Sequence, residues 1–306
     1  MAGLANRDEK GVERHRPPSD LMKVLIAGKK GQLAREFSNR MDAPAFQVEA
    51  PDEEEFDITN GDAVKTIIGG MRPDVVLNCA AYNHVDDAER DPRTAFLVNA
   101  QGVGHLAAAC RETGAFLVHF GTDYVFNGQK GAPYTEEDRP DPVNNYGKSK
   151  LAGEEVLRET LKRFLLLRVS WVFGEGKQNF LYKMLQLAGS NRALKVVNDQ
   201  VSVPTSTRDI VTLTLLALDR GLSGIYHLTA SGYASRFDVV QYLFLKRGMA
   251  NALIPVATDY FPSPAKRPLF SALSNTKLAE TLGVEIPAWE SGLDWYAEKI
   301  ERARAG

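Results

Sequence analysis

Met22-Lys23-Val24-Leu25-Ile26-Ala27-Gly28-Lys29-Lys30-Gly31-Gln32-Leu33-Ala34 is the stretch whose reading decides the fold. Its first six residues form an apolar run that stops at a glycine, and a helical pattern opens behind the second glycine. A strand that turns through glycines into a helix leaves backbone N–H groups free at the helix N-terminus, where the helix dipole attracts an anion. Gly28 and Gly31 let the backbone approach a pyrophosphate, and Ala34 supplies the small residue that close helix–strand packing needs. A plain strand-to-helix turn competes with this reading. Position favours the dinucleotide loop, because the pattern follows the first strand, where the mechanism requires it.

Outward from this loop, short apolar runs alternate with helical patterns. The runs are Val75–Asn78, Phe116–Phe120 and Phe164–Val169, with a second strand expected at Ala45–Glu49; the helices are expected over 63–70, 95–113 and 149–160. Near-continuous apolar strands indicate burial on both faces, as in a parallel sheet covered by helices. The fold class expected is α/β, a Rossmann-type doubly wound parallel sheet with a smaller C-terminal substrate lobe. Residues 1–20 read as a disordered extension and 21–172 as the dinucleotide-binding domain. Residues 173–306 form mainly the substrate lobe, with 223–230 returning to the main sheet.

The 306 residues carry 37 Lys and Arg against 39 Asp and Glu, a net charge of −2, so no basic excess points to nucleic acid. No stretch approaches the roughly 20 apolar residues that span a bilayer, and the charged N-terminus lacks the apolar core of a signal peptide. A cytoplasmic location is therefore expected. Cys79 and Cys110 read as buried reduced thiols, and no metal-ligand spacing is present.

Tyr146-Gly147-Lys148-Ser149-Lys150 carries the chemistry. Tyrosine and lysine at i and i+4 project from one helix face. A phenol titrates near pH 10, too high for acid–base work at neutral pH, and a neighbouring ammonium favours its phenolate. Upstream, Thr122 stands at the carboxyl end of a buried strand, the edge where open α/β sheets bind ligands. With the glycine loop, the three suit hydride transfer to or from a carbonyl. Lys29 and Lys30 suit a 2′-phosphate, which leans the cofactor to NADPH over NADH. Asp57 suits either a helix cap or an adenine contact. Trp171 reads equally as core aromatic or sugar platform.

Several stretches together resemble the extended short-chain dehydrogenase/reductase family, and within it the dTDP-4-dehydrorhamnose reductases. They are Asn78-Cys79-Ala80-Ala81-Tyr82 with Val85-Asp86, Gly121–Gly128, Asn145–Glu154, Arg168–Gly174, Asn198-Asp199-Gln200 with Pro204-Thr205, and Pro264–Pro268. The resemblance implies reduction of the 4-keto group of a nucleotide-activated deoxysugar by NADPH or NADH, with Thr122, Tyr146 and Lys150 as the catalytic group. It implies cofactor contacts from Gly28, Gly31, Gln32, Leu33, Asp57, Ile58, Ala81, Tyr82, Asn83 and Phe120, besides Tyr146 and Lys150. It implies a substrate pocket from Val85, Thr122, Asp123, Tyr124 and Trp171, with Asn179 and Arg267 toward the diphosphate. The partner implied is the nucleotide sugar, on a monomer or homodimer; Mg²⁺ helps some relatives, though no carboxylate cluster here demands it.

The sequence departs from the family in places. Ala50 stands where an acid is frequent, and Gly121 stands where serine is usual. Val201-Ser202-Val203 replaces a glycine-containing turn, and Ser235-Arg236-Phe237 lacks a frequent tryptophan. Asp123 is followed by Tyr124 rather than glutamate, so a dehydratase's elimination base is missing. The rival of another class is a non-catalytic dinucleotide-binding subunit, resembling the regulatory subunit of methionine adenosyltransferase.

Overall fold

The computed structural model describes residues 21–176 and 179–305, together with the backbone of 6–7 and 13–14, which pair antiparallel. The rest of the expected N-terminal extension lies outside the described residues. Six strands, β1 (Met22–Ala27), β2 (Phe46–Glu49), β3 (Val75–Asn78), β4 (Phe116–Thr122), β5 (Leu165–Val169) and β6 (Gly224–His227), form one sheet in the order β2-β1-β3-β4-β5-β6. Every neighbouring pair is parallel. The Rossmann-type fold read from the sequence is therefore the fold observed.

Alternation along the strands builds a core on each face. Val24 and Ile26 of β1 pack with Leu77, Val118, Leu165 and Leu167 against Phe37 of α1 (Gln32–Arg40) and Ile210 of α6 (Thr207–Asp219). Leu25 and Ala27 point the other way. They join Val76, Leu117 and Leu166 under α2 (Gly61–Met71), α3 (Gly102–Thr113) and α4 (Asn145–Thr160). Both faces are covered, which is why the strands read as unbroken apolar runs. A further core joins Phe173, α5 (Phe180–Ser190), α7 (Arg236–Lys246) and α9 (Trp289–Ala305) to the parallel pair Ala193–Val197 and Ala252–Val256. Helix α8 (Thr276–Leu282) instead returns Leu278 and Leu282 to the main sheet's core. Among the described residues no helix is long and apolar enough to cross a membrane.

Three departures from expectation bear on the site. Strand β4 runs two residues further, because Gly121 and Thr122 keep pairing with Arg168 and Val169. Helix α4 begins at Asn145 rather than Ser149, since the Asn144 side chain accepts from the Gly147 N–H at 2.8 Å and caps it there. The helix expected over 95–113 is interrupted: Pro92–Phe96 is α, Leu97–Gln101 is a π turn, and α3 follows. The π turn aims buried Asn99 inward, where it accepts from the Tyr82 N–H and donates to Ser149 Oγ.

Helix α4 crosses that π turn at Gly153, where a β-carbon would stand 2.0 Å from the Asn99 carbonyl oxygen. Alanine is the better helix former by about 1 kcal/mol, so in open space Gly153→Ala would stabilise. Here overpacking decides the sign, and Gly153→Ala is expected to lower stability by about 1–3 kcal/mol in urea denaturation. Unchanged or raised stability would contradict this packing.

Candidate active site

A cavity of about 370 Å³ opens outside the carboxyl ends of β1, β3, β4 and β5. Strand order reverses there, β2 lying to one side of β1 and β3 to the other, and open α/β sheets bind ligands at such a point. Gly31, Gln32 and Leu33 line its floor. Gly28 has φ +82°, and a β-carbon on it would stand 2.7 Å from Ala80 backbone atoms, so only glycine fits. Helix α1 starts at Gly31 without a side-chain cap, and the Gln32 side chain donates instead to the Val172 carbonyl at 3.1 Å. An uncapped helix start opening on a cavity is a fitting seat for a pyrophosphate, and Phe120 lines the same space.

The catalytic candidates converge above this floor. Glu89 accepts from the Asn145 N–H at 2.6 Å and fixes the start of α4, so Tyr146 and Lys150 both turn into the cavity. Lys150 is buried and its Nζ donates to the Phe120 carbonyl at 2.7 Å. The Tyr146 hydroxyl donates to Asn83 Oδ1 at 3.4 Å. Thr122 ends β4, accepts from the Tyr124 N–H at 3.2 Å, and presents its hydroxyl to Tyr146.

Burial sets the charges. It lowers Lys150 to about 8, with Glu154 opposing. It raises the Tyr146 phenol above its usual range, with the Thr122 hydroxyl opposing. The phenol therefore holds its proton, contrary to the expectation that Lys150 pulls it down: the ammonium is directed at Phe120, and desolvation dominates. Asp123 is raised to about 6 by burial, although Ser271, Ser170 and Thr122 donate to it. Buried His119 is pushed well below its usual value by desolvation and by Lys150, so it stays neutral and pairs with the Asn78 side chain at 3.0 Å.

Ala81, Asn83, Val85, Asp123, Tyr124 and Trp171 also line the cavity. Tyr82 stands outside the lining, its backbone N–H and carbonyl held by Asn99. Trp171 has φ +40°, a strained backbone for a bulky residue, and it stands half-buried on the cavity wall. That position favours platform over core filler.

Other candidates lie elsewhere. Asp57 accepts from the Thr59 N–H and hydroxyl, both at 2.8 Å, while Asn60 caps α2, so the helix-cap reading of Asp57 is overturned. Ile58 is buried beneath α3. Lys29 pairs with Asp52, and Lys30 with Glu53 and Glu54; all are exposed, and such pairs are weak enough to release the lysines. Asn179 stands outside the cavity lining. It caps α5, donates to the Gly174 carbonyl and accepts from the Tyr296 hydroxyl. Arg267 grips Asp86 through both terminal nitrogens, at 3.0 and 2.8 Å, which ties the 263–268 segment to the main domain.

Several supporting residues are unreadable from local pattern. Glu154 and Arg168 form a buried ion pair at 2.8 Å behind the catalytic helix, one turn beyond Lys150. Gly121 belongs to this arrangement, since a β-carbon there would stand 2.6 Å from Glu154 Oε1. The departure from serine therefore accompanies a buried carboxylate. Asn99 and Glu89 act over 50 or more residues of sequence, which no short motif displays. Among the described residues no cluster of three His, Cys, Asp or Glu is arranged for a metal.

The family model described as the RmlD substrate binding domain matches residues 22–302. A dTDP-4-dehydrorhamnose reductase of Burkholderia thailandensis is 39% identical over 285 residues, 88% of this chain and 95% of its own. The crystal structure of a dTDP-4-dehydrorhamnose reductase from Clostridium acetobutylicum superposes with a TM-score of 0.89 at 37% identity, covering 92% of this chain and all of that one. One from Bacillus anthracis, in complex with NADP, gives 0.89 at 32% identity with the same coverage.

Removing one partner of a buried ion pair strands the other charge. Glu154→Ala is accordingly expected to cost about 3–5 kcal/mol of stability, read from the urea midpoint. A loss below about 1 kcal/mol would show that Arg168 finds other compensation.

Proposed function

The chain belongs to the family of the RmlD substrate binding domain, and on that footing we propose that it reduces dTDP-4-dehydro-L-rhamnose to dTDP-L-rhamnose with NADPH or NADH. What carries the reading is the convergence of Thr122, Tyr146 and Lys150 in one cavity with the glycine turn and the uncapped start of α1. The reading extends to a cytoplasmic enzyme, working as a monomer or homodimer.

A bound dihydronicotinamide supplies the hydride. Tyr146, kept protonated by burial, gives its phenol proton to the ketone oxygen as that oxygen gains charge. Thr122 offers a second hydrogen bond to the same oxygen. The Lys150 ammonium, held by the Phe120 carbonyl while the phenol keeps its proton, turns to the phenolate once that proton has left. Asp123 and Tyr124 shape the sugar side, and Trp171 offers its ring face as a platform.

Oxidation of NADPH or NADH in the presence of dTDP-4-dehydro-L-rhamnose, followed at the nicotinamide absorbance band, tests the reading. Rapid turnover is expected; none, with cofactor binding intact, would overturn the substrate. Tyr146→Phe removes the proton donor and is expected to lower kcat by at least about 100-fold while cofactor affinity is kept. Near-normal turnover would remove Tyr146 from the chemistry. Lys150 is cationic below about 8 and neutral above it. Activity is therefore expected to fall as pH rises through that value, and a flat profile to well above it would show that the ammonium is dispensable.

A further inference from the structure

We infer that Arg236 binds the substrate's diphosphate, an inference that rests on the nucleotide-sugar reading above. Beyond Tyr124 and Trp171 the catalytic cavity continues into a cleft of about 110 Å³, lined also by Gln200, Val201, Ser202 and Arg236. Arg236 is the first residue of α7, a helix already capped by Ser235, with Asp238 turned back onto Ser235. Its guanidinium carbon lies 5.1 Å from the centre of the Trp171 ring and 5.2 Å from that of Phe180. Its Nε donates to Gln200 Oε1 at 2.8 Å. Trp171, Phe180 and Gln200, with the Tyr124 hydroxyl, thus hold the side chain on the edge of a cavity and half-buried.

Its charge remains to be answered. Among the described residues no Asp or Glu pairs with Arg236. Asp123, which shares the cleft, is buried and raised to about 6, with Ser271 and Thr122 donating to its carboxylate oxygens. Arg267, on the other side of Tyr124, already has Asp86 across both terminal nitrogens. A pre-oriented, uncompensated guanidinium opening on a substrate cavity is built to receive a dianionic oxygen group, and its fork geometry matches phosphate bidentately.

The position suits the substrate's shape. The sugar's C4 carbonyl must meet Tyr146, and its phosphate-bearing C1 lies across the pyranose ring. The Tyr124 ring packs on Tyr146 with centroids 5.7 Å apart, and the Tyr124 hydroxyl pairs with Arg236. Tyr124 therefore lines both the cavity at the reacting end and the cleft at Arg236, so a nucleotide sugar that passes it meets both. Stacking on Trp171 also couples the two sites, since the platform for the sugar is the same ring that steadies the guanidinium.

Titration of the full-length protein with dTDP and with thymidine, by calorimetry, tests the inference. Arg236→Gln is expected to weaken dTDP by about 10- to 100-fold, the loss of a charge-assisted hydrogen-bond pair, and to leave thymidine within about threefold. Arg236→Lys is expected to recover part of the dTDP affinity, and raised salt to weaken dTDP more in the wild type than in Arg236→Gln. Unchanged dTDP affinity in Arg236→Gln overturns the inference while the reductase reading stands. Equal losses for dTDP and thymidine, with no recovery by lysine, overturn it too and assign Arg236 to supporting Trp171. A wild-type protein that binds NADPH but not dTDP overturns both.

Discussion

Helix α4 reaches its seat only because two of its residues have no side chain. A β-carbon at Gly147 would stand 2.2 Å from the Tyr124 carbonyl oxygen, and one at Gly153 would stand 2.0 Å from that of Asn99. Both obstacles are backbone, so neither can turn aside. With the helix this close, Lys150 reaches the Phe120 carbonyl and Tyr146 comes under the Thr122 hydroxyl, at the one edge where the sheet opens. The catalytic geometry is thus a consequence of packing distance, and the capping contacts of Asn144 and Glu89 set only where the helix begins.

Close packing also determines the electrostatics. Around the helix, burial removes water from Lys150, Tyr146, Asp123 and His119, and each shifts toward its neutral form. Behind the helix, buried Glu154 and Arg168 stand 2.8 Å apart, each the other's counterion. A protonated phenol beside an ammonium is the resting state a carbonyl reductase needs, a proton ready to leave and a cation ready to hold the phenolate. Beyond Tyr124 the balance changes: Arg267 is paired with Asp86, whereas Arg236 rests on aromatic rings at the edge of the cleft.

The parallel sheet was legible because burial on both faces writes apolar runs into the sequence, and five of its strands fell within two residues of expectation at each end. Tyr146, Lys150 and Thr122, the proposed catalytic group, were legible as one cluster from their spacing and strand-end placement, and they line one cavity. Asn99, Glu89, Glu154 and Arg168 were not, since their partners lie in other elements and their local surroundings are ordinary. The π turn escaped notice for the same reason: its signal is the tertiary role of Asn99, not a periodicity. Resemblance pointed Asn179 toward the diphosphate, but the residue's place at the start of α5 gives its amide other partners. The missing tryptophan drew attention to the stretch around Arg236, although only the structure reveals that this cation lines the cleft.

The central claim is that this cavity delivers hydride to the sugar's C4. Turnover of dTDP-4-dehydro-L-rhamnose with NADPH deuterated at the nicotinamide C4, on each face in turn, tests it most directly. The account predicts deuterium at C4 of the sugar product from one of the two labelled cofactors, seen by mass and by NMR. Product without deuterium from either face, or with the label at another carbon, would contradict it.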